Sequence, residues 1–133
     1  MNGKSIFDAA FGRYGRVLTG MDTAELCGLL RQYDDPAGVT YLASQPQLEA
    51  LDIAACLQNE VFGQMPVQVG VCYGVNSRMD AIEYHKCSEI NIAAEDQLLF
   101  LGCRQDITDR QTYDTGRAEL FFVPAGTMYE MYA

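Results

Sequence analysis

The chain has 133 residues, with nine Lys and Arg against 18 Asp and Glu, and a formal net charge of -9. A chain of this length suits one domain with a single core and is too short for two. The negative charge, without any basic cluster, argues against nucleic acid as a partner. The longest apolar runs fall far below the roughly 18 residues that a membrane-spanning helix requires.

Short helices and strands are predicted in the first part of the chain. Tyr14–Leu18 has strand composition, and a capping-box pattern opens a helix over Asp22–Tyr33. Val39–Leu42 predicts another strand, and Ser44-Gln45-Pro46-Gln47 opens a second helix. We interpret residues 1–60 as a lead-in of helices and strands.

After residue 60 the pattern is almost entirely that of strands separated by turn residues. The predicted strands are Val67–Tyr73, Met79–Ile92, Gln97–Cys103, Ala118–Val123 and Thr127–Tyr132. The chain shows no repeat and no linker. We therefore predict a single, mainly β domain over residues 1–133.

The stretch Glu83-Tyr84-His85-Lys86-Cys87-Ser88-Glu89 holds the only histidine and has a carboxylate on each side of it. Side chains alternate along a strand, so Glu83, His85 and Glu89 would project to one face. Imidazole and carboxylate ligands together suit Zn, Mn, Fe or Ni. The spacing predicts a divalent metal site at these three residues, and the alternative is a hydrogen-bonded surface strand.

The preceding strand has one face of small and amide side chains. Gln68, Gly70, Cys72, Gly74 and Asn76 share this face. Such a face leaves room for a ligand in a small barrel, where Gln68 and Asn76 would line a substrate pocket. The alternative is that Gly70 and Gly74 mark bulges or a close approach of two backbones.

Cysteine usage predicts a reducing compartment. Cys27, Cys56, Cys72, Cys87 and Cys103 are odd in number and form no C-x-x-C pair, and the first residues show no secretory signal. We expect reduced thiols in the cytoplasm. Core packing is their ordinary role, and for Cys87 we favour packing over ligation.

Several stretches resemble the cupin superfamily. Glu83-x-His85-x-x-x-Glu89 resembles the first cupin motif, His-x-His-x(3 or 4)-Glu, and Pro124-x-Gly126 resembles the second, Pro-x-Gly-x-x-His. The chain is more closely similar to an uncharacterised bacterial family of cupin-like proteins related to ureidoglycolate lyases. That similarity covers Phe11–Leu18, Gly70–Asn76, Glu83–Asn91 and Phe122–Thr127.

The resemblance implies a cupin-like double-stranded β-helix, or jelly-roll barrel, formed by residues 61–133 after a short helical N-terminal section. The chain departs from the cupin pattern at two positions. Glu83 replaces the first histidine, and Tyr129, next to Glu130, stands at the second-motif histidine. A metal would therefore have a single nitrogen ligand.

The resemblance also implies a reaction class: a metal-dependent isomerase or lyase acting on a small hydroxylated metabolite such as a sugar or sugar acid. The metal would polarise a carbonyl, and Glu130 would move a proton at the adjacent carbon. The roles of Glu130 and Glu89 are exchangeable. The alternative function is a non-catalytic domain that binds or senses a small molecule.

Members of the resembled family continue beyond the position of Ala133, which implies that the chain lacks their C-terminal part. A last strand without a partner would be an exposed edge, and such edges promote association. We expect a homodimer whose interface buries some of the apolar side chains near this end: Phe121, Val123, Met128, Met131 or Tyr132.

Overall fold

The computed structural model describes residues 3–79 and 81–132. In this part, the chain consists mainly of small β-sheets with a few short helices. Contacts divide it into two compact units. We call them the terminal unit, which contains Gly20 and earlier residues with Glu83 and later residues, and the middle unit, Met21–Ile82. This division differs from the predicted sections 1–60 and 61–133, because early strands pair with late ones.

The strands in chain order are β1 (Lys4–Ser5), β2 (Gly15–Leu18), β3 (Val39–Leu42), β4 (Val71–Gly74), β5 (Glu89–Ile92), β6 (Gln97–Leu101), β7 (Glu119–Val123) and β8 (Met128–Met131). The α-helices are α1 (Ala24–Leu30), α2 (Pro46–Glu49) and α3 (Asp52–Glu60). Short 3-10 helices occupy Ala9–Arg13, Arg104–Asp106 and Thr115–Arg117.

Two three-stranded sheets form the terminal unit. One has the order β1-β7-β6, with β1 parallel and β6 antiparallel to β7. The other has the order β2-β8-β5, in which β8 pairs antiparallel with both neighbours. The described sheets remain separate and form no closed barrel.

An aromatic core fills the terminal unit. Its buried members are Ile6, Phe11, Tyr14, Ala93, Phe121, Val123 and Tyr129. The Phe11 ring packs edge-on against Phe121 and Tyr129, with centroid distances of 5.6 and 6.3 Å. Because Phe121 belongs to one sheet and Tyr129 to the other, these contacts join the two sheets.

The middle unit contains a two-stranded sheet, β3-β4, and the three α-helices. Two glycines, one just before β4 and one at its end, are required by close backbone contacts. A Cβ atom on Gly70 would lie 2.7 Å from the Leu42 carbonyl oxygen, and one on Gly74 would lie 2.0 Å from that of Gly38. Gly74 also has φ +118°, which L side chains rarely adopt. Close backbone approach, one of the two interpretations of these glycines, is confirmed.

The predicted strand Met79–Ile92 is wrong over most of its length. Asp80 lies outside the described residues, residues 81–88 belong to no strand, and β5 begins at Glu89. Ile82 and Tyr84 are each 56% exposed. Strand preference reflects packing on a half-buried sheet, and these exposed side chains lack that burial.

The prediction that the last strand is an exposed edge is also wrong. β8 is the central strand of its sheet. Phe121 and Val123 are fully buried and Met128 is 2% exposed, so these three side chains are not available for the predicted dimer interface. Among the described residues, no helix is long and apolar enough to cross a membrane.

Candidate functional site

The candidate site lies where an irregular segment enters β5. Glu83 and His85 belong to the irregular residues before the strand, and Glu89 is the first residue of β5. Although the predicted strand alternation fails there, the three side chains do come together. The structure therefore brings all three predicted metal ligands into one cluster.

Each nitrogen of the His85 ring faces a different carboxylate. The distance from Nδ1 to Glu89 Oε2 is 3.4 Å, and that from Nε2 to Glu83 Oε1 is 3.7 Å. These are ion-pair distances, longer than a good hydrogen bond. The Glu83 side chain is 87% exposed, whereas those of His85 and Glu89 are 39% and 40% exposed. The cluster is therefore a surface site that is more enclosed on its Glu89 side.

Asn91 holds the Glu89 carboxylate. Its Nδ2 donates a hydrogen bond to Glu89 Oε1 at 2.8 Å, which leaves Oε2 facing His85. Side chains two residues apart in a strand share a face, and this face of β5 is the one toward the core. Sequence reasoning missed Asn91, although the two-residue alternation that placed Glu83 and His85 on one face also applies to Glu89 and Asn91.

Tyr129 lies next to this polar pair. It is the cross-strand partner of Asn91, and its hydroxyl accepts a hydrogen bond of 2.8 Å from Gln97 Nε2. Burial raises the pKa of Tyr129 above its ordinary value, and the Glu89 carboxylate raises it further. Tyr129 therefore stays a neutral hydroxyl. Tyr129 thus lies on the same sheet face as Asn91 and Glu89.

A metal ion does not fit this arrangement of side chains. An ion binds one imidazole nitrogen along its lone pair, at about 2.0–2.1 Å for zinc. Glu83 and Glu89 face opposite nitrogens, so one ion would have a single carboxylate beside it. No group of three His, Cys, Asp or Glu residues suited to a metal occurs in the described part of the chain. Cys87 is exposed and joins no such group.

Glu130 does not join the cluster. It pairs in register with Ile90 on one side and Arg16 on the other, so it projects from the opposite sheet face to Glu89. Its carboxylate accepts a charge-assisted hydrogen bond of 2.6 Å from Arg16 Nε, and the side chain is 12% exposed. Glu130 therefore forms an ion pair with Arg16 and lies apart from the His85 cluster.

Gln68 and Asn76 belong to the middle unit, where both are exposed. Their assignment to a substrate pocket stays a prediction. A shallow depression of about 290 Å³ occurs in the terminal unit, lined by residues 6–9, 11–12 and 15–17. None of the predicted site residues lines it.

Comparison with known proteins gives one match. Residues 4–133 match the model of a family described as a domain of unknown function, DUF4867. The chain belongs to this family. No curated protein and no solved structure matches the DUF4867 chain. The family description states no activity.

Proposed function

We propose that this DUF4867 domain is an isomerase or lyase for a small hydroxylated metabolite, such as a sugar or sugar acid, and that its reaction depends on proton transfer at His85. The observation that carries the proposal is the imidazole placed between two carboxylates, with Asn91 holding one of them. The reaction class and substrate class come from the cupin resemblance.

A cupin-like fold is part of the proposal. Two sheets enclose the core of the terminal unit, and Tyr129, at the second-motif position, shares a sheet face with Glu89. These features support a relationship to the double-stranded β-helix. A crystal structure whose strands follow the jelly-roll order would establish it, and one with a different strand order would exclude it.

In the proposed mechanism, a His85 nitrogen accepts the proton from a carbon next to a carbonyl group. In an isomerisation, the hydroxyl group on that carbon gives its proton to the carbonyl oxygen, and the ring returns the carbon-derived proton to the former carbonyl carbon. In an elimination, the ring gives the proton to a hydroxyl group on the next carbon, which leaves as water while the carbon–carbon double bond forms. Glu89 orients the ring, and Glu83 offers a second carboxylate at the exposed edge. A bound metal would polarise the carbonyl, but the residues do not fit one and no step depends on it.

Exchange of substrate protons with deuterated solvent tests this function, because proton abstraction from carbon leaves deuterium behind even without net turnover. A panel of aldoses, ketoses and sugar acids is incubated with the protein in D2O and followed by NMR. We expect exchange into one class, its loss in His85→Ala, and a decrease of about 10²-fold or more in Glu89→Gln.

Two further variants sharpen this experiment. Glu95→Gln alters an exposed acidic residue of the same unit and should exchange at the wild-type rate. Glu130→Gln decides between the two glutamates that the sequence proposed as proton carriers, and we expect the larger defect in Glu89→Gln. Exchange that persists in His85→Ala would refute the proposed mechanism.

One observation favours the alternative, a non-catalytic binding domain. The interior of the terminal unit is occupied by its own side chains, including fully buried Phe121 and Val123, and the His85 cluster is open to solvent. A binding domain would show saturable binding of one panel compound by calorimetry without any deuterium exchange.

We also propose a cytoplasmic location and a homodimer. None of the five cysteines forms a disulfide, which agrees with a reducing compartment. Cell fractionation tests the location.

A further inference from the structure

We infer that His85 is held as a metal-free imidazole anchored at Nδ1, and that Asn91 is the positioning residue that anchors it through Glu89. The inference deepens the proposed function and rests on it for its catalytic meaning. It assigns a role to Asn91, and it departs from the metal dependence that the cupin resemblance implies.

Neither side of the His85 ring offers enough ligands for a metal ion. The Nδ1 side offers one carboxylate, from Glu89, and the Nε2 side offers another, from Glu83. A tetrahedral metal site with His85, Glu83 and Glu89 as its three protein ligands needs both carboxylates beside the same ring nitrogen of His85. Either Glu83 would have to cross to the Nδ1 edge of the ring, or Glu89 would have to cross to the Nε2 edge and lose its hydrogen bond from Asn91.

Glu89 is held in place more firmly than Glu83. Glu89 is fixed at Oε1 by the 2.8 Å hydrogen bond from Asn91, and it lies on a paired strand. Glu83 is 87% exposed and lies in an irregular segment. A carboxylate that is already hydrogen-bonded loses less freedom when it pairs with the ring, and an exposed one is screened by water. Nδ1 is therefore the anchored edge of His85.

The anchored Nδ1 edge determines which ring nitrogen is free to act as a base. When Glu89 holds the proton on Nδ1, the lone pair of the neutral ring lies at Nε2, on the exposed side. A substrate reaching the site from solvent meets that nitrogen. Asn91 touches no reacting atom in this arrangement, and it acts only through Glu89.

Metal content tests the first half of the inference. Wild type and His85→Ala are produced in medium containing Zn, Mn, Fe and Ni, purified without chelator and measured by elemental analysis. We expect only traces of metal in both proteins. Near-stoichiometric metal in wild type that disappears in His85→Ala would overturn the inference.

The tautomer of the ring tests the second half. The chain has a single histidine, so ¹⁵N NMR at one mildly alkaline pH reports only His85. We expect the Nδ1–H tautomer to predominate in wild type. Asn91→Ala should shift the tautomer ratio about threefold toward Nε2–H, because one hydrogen bond that orders Glu89 is lost.

Two controls complete the experiment. Asn91→Asp keeps the shape of the side chain and removes its N–H donors, so it should shift the ratio in the same direction even where Asn91→Ala perturbs packing. Glu95→Gln should leave the ratio unchanged. A wild-type ratio in both Asn91 variants would refute the positioning role.

The outcomes separate this inference from the proposed function. An Nδ1–H ring without metal, in a protein that causes no deuterium exchange, would leave the inference standing and remove the function. Exchange that is lost in His85→Ala but requires bound metal would leave the function standing and remove the inference.

Discussion

Tyr14 is the residue at which burial, hydrogen bonding and charge meet most closely. It is 6% exposed, its ring packs against Phe121, and its hydroxyl donates a 2.9 Å hydrogen bond to Glu119. Lys4 forms an ion pair with the same carboxylate. The hydrogen bond from Lys4 lowers the Glu119 pKa most, and the hydrogen bond from Tyr14 lowers it further. Burial, followed by the bond to Glu119, raises the pKa of Tyr14 to about 12.

Replacing Tyr14 with Phe should weaken the fold at neutral pH and flatten its alkaline unfolding. A raised folded-state pKa gives stability that is complete below the unfolded value of about 10 and lost as pH rises toward about 12. Tyr14→Phe should cost about 1 kcal/mol at pH 7 through the lost hydrogen bond. Urea unfolding over a pH series measures both effects.

The control for this prediction is Tyr41→Phe, since Tyr41 is 68% exposed. That variant should follow the wild-type pH profile. Other buried tyrosines with a raised pKa also make the fold less stable at alkaline pH, so the prediction concerns the difference between the two profiles. An alkaline loss in Tyr14→Phe as steep as in wild type would contradict it.

At the residue scale, the sequence indicated the cluster but not its internal order. The spacing of Glu83, His85 and Glu89 pointed to the right residues, although the strand alternation that justified it fails there, because β5 begins only at Glu89. Which ring nitrogen each carboxylate faces depends on side-chain rotamers, which spacing does not determine. Asn91 was missed because an amide has no charge to attract notice as a ligand.

At the scale of elements, local pattern found strands but not their partners. β3 was predicted with its observed bounds, and β6, β7 and β8 within a residue or two. The pairing of β2 with β8 joins segments more than 100 residues apart in the sequence. Nothing in the composition of either strand specifies that pairing, which is why β8 was expected to be an edge.

The β3-β4 sheet depends on a glycine whose replacement should be severe. Gly74→Ala would bring a Cβ within 2.0 Å of the Gly38 carbonyl oxygen at φ +118°. We expect a loss of more than about 2 kcal/mol in unfolding free energy, because both a backbone clash and a strained dihedral are created. Urea denaturation followed by circular dichroism measures it.

Gly28→Ala is the matched control within the same unit. Gly28 lies inside α1, and a Cβ there would meet no atom within 4 Å. Alanine should therefore stabilise the protein by about 0.5–1 kcal/mol through helix propensity. Equal effects of the two substitutions would show that the contact at Gly74 does not restrain β4.

For the whole molecule, the sequence predicted the strand-rich character and not the division into two units. In the terminal unit, early strands pair with late ones, and the sequence between them, Met21–Ile82, forms the middle unit. Hydrophobic patterning records burial at each position, and it cannot tell which distant segment provides the cover. The family match over residues 4–133 spans both units.

An uncharged apolar face remains exposed on the sheet β1-β7-β6. Leu98 and Phe122 are cross-strand partners that are 60% and 41% exposed, and Phe100, on the same face of the edge strand β6, is 38% exposed. Edge strands with exposed apolar side chains favour association. This face, in place of the buried Phe121, Val123 and Met128, is available to the proposed homodimer.

We predict weak self-association through this face. Three partly exposed side chains provide far less than the roughly 1,200 Å² of a stable interface, so dimers should form only at high concentration. Light scattering should show a mass rising from 14.7 kDa toward twice that value.

Leu98→Lys should keep the mass at 14.7 kDa, because a desolvated ammonium opposes pairing of the two faces. Met65→Lys, at an apolar residue of the middle unit that is 62% exposed, should associate like wild type. Wild type that stays monomeric at every concentration, or equal effects of the two lysines, would exclude this face as the interface.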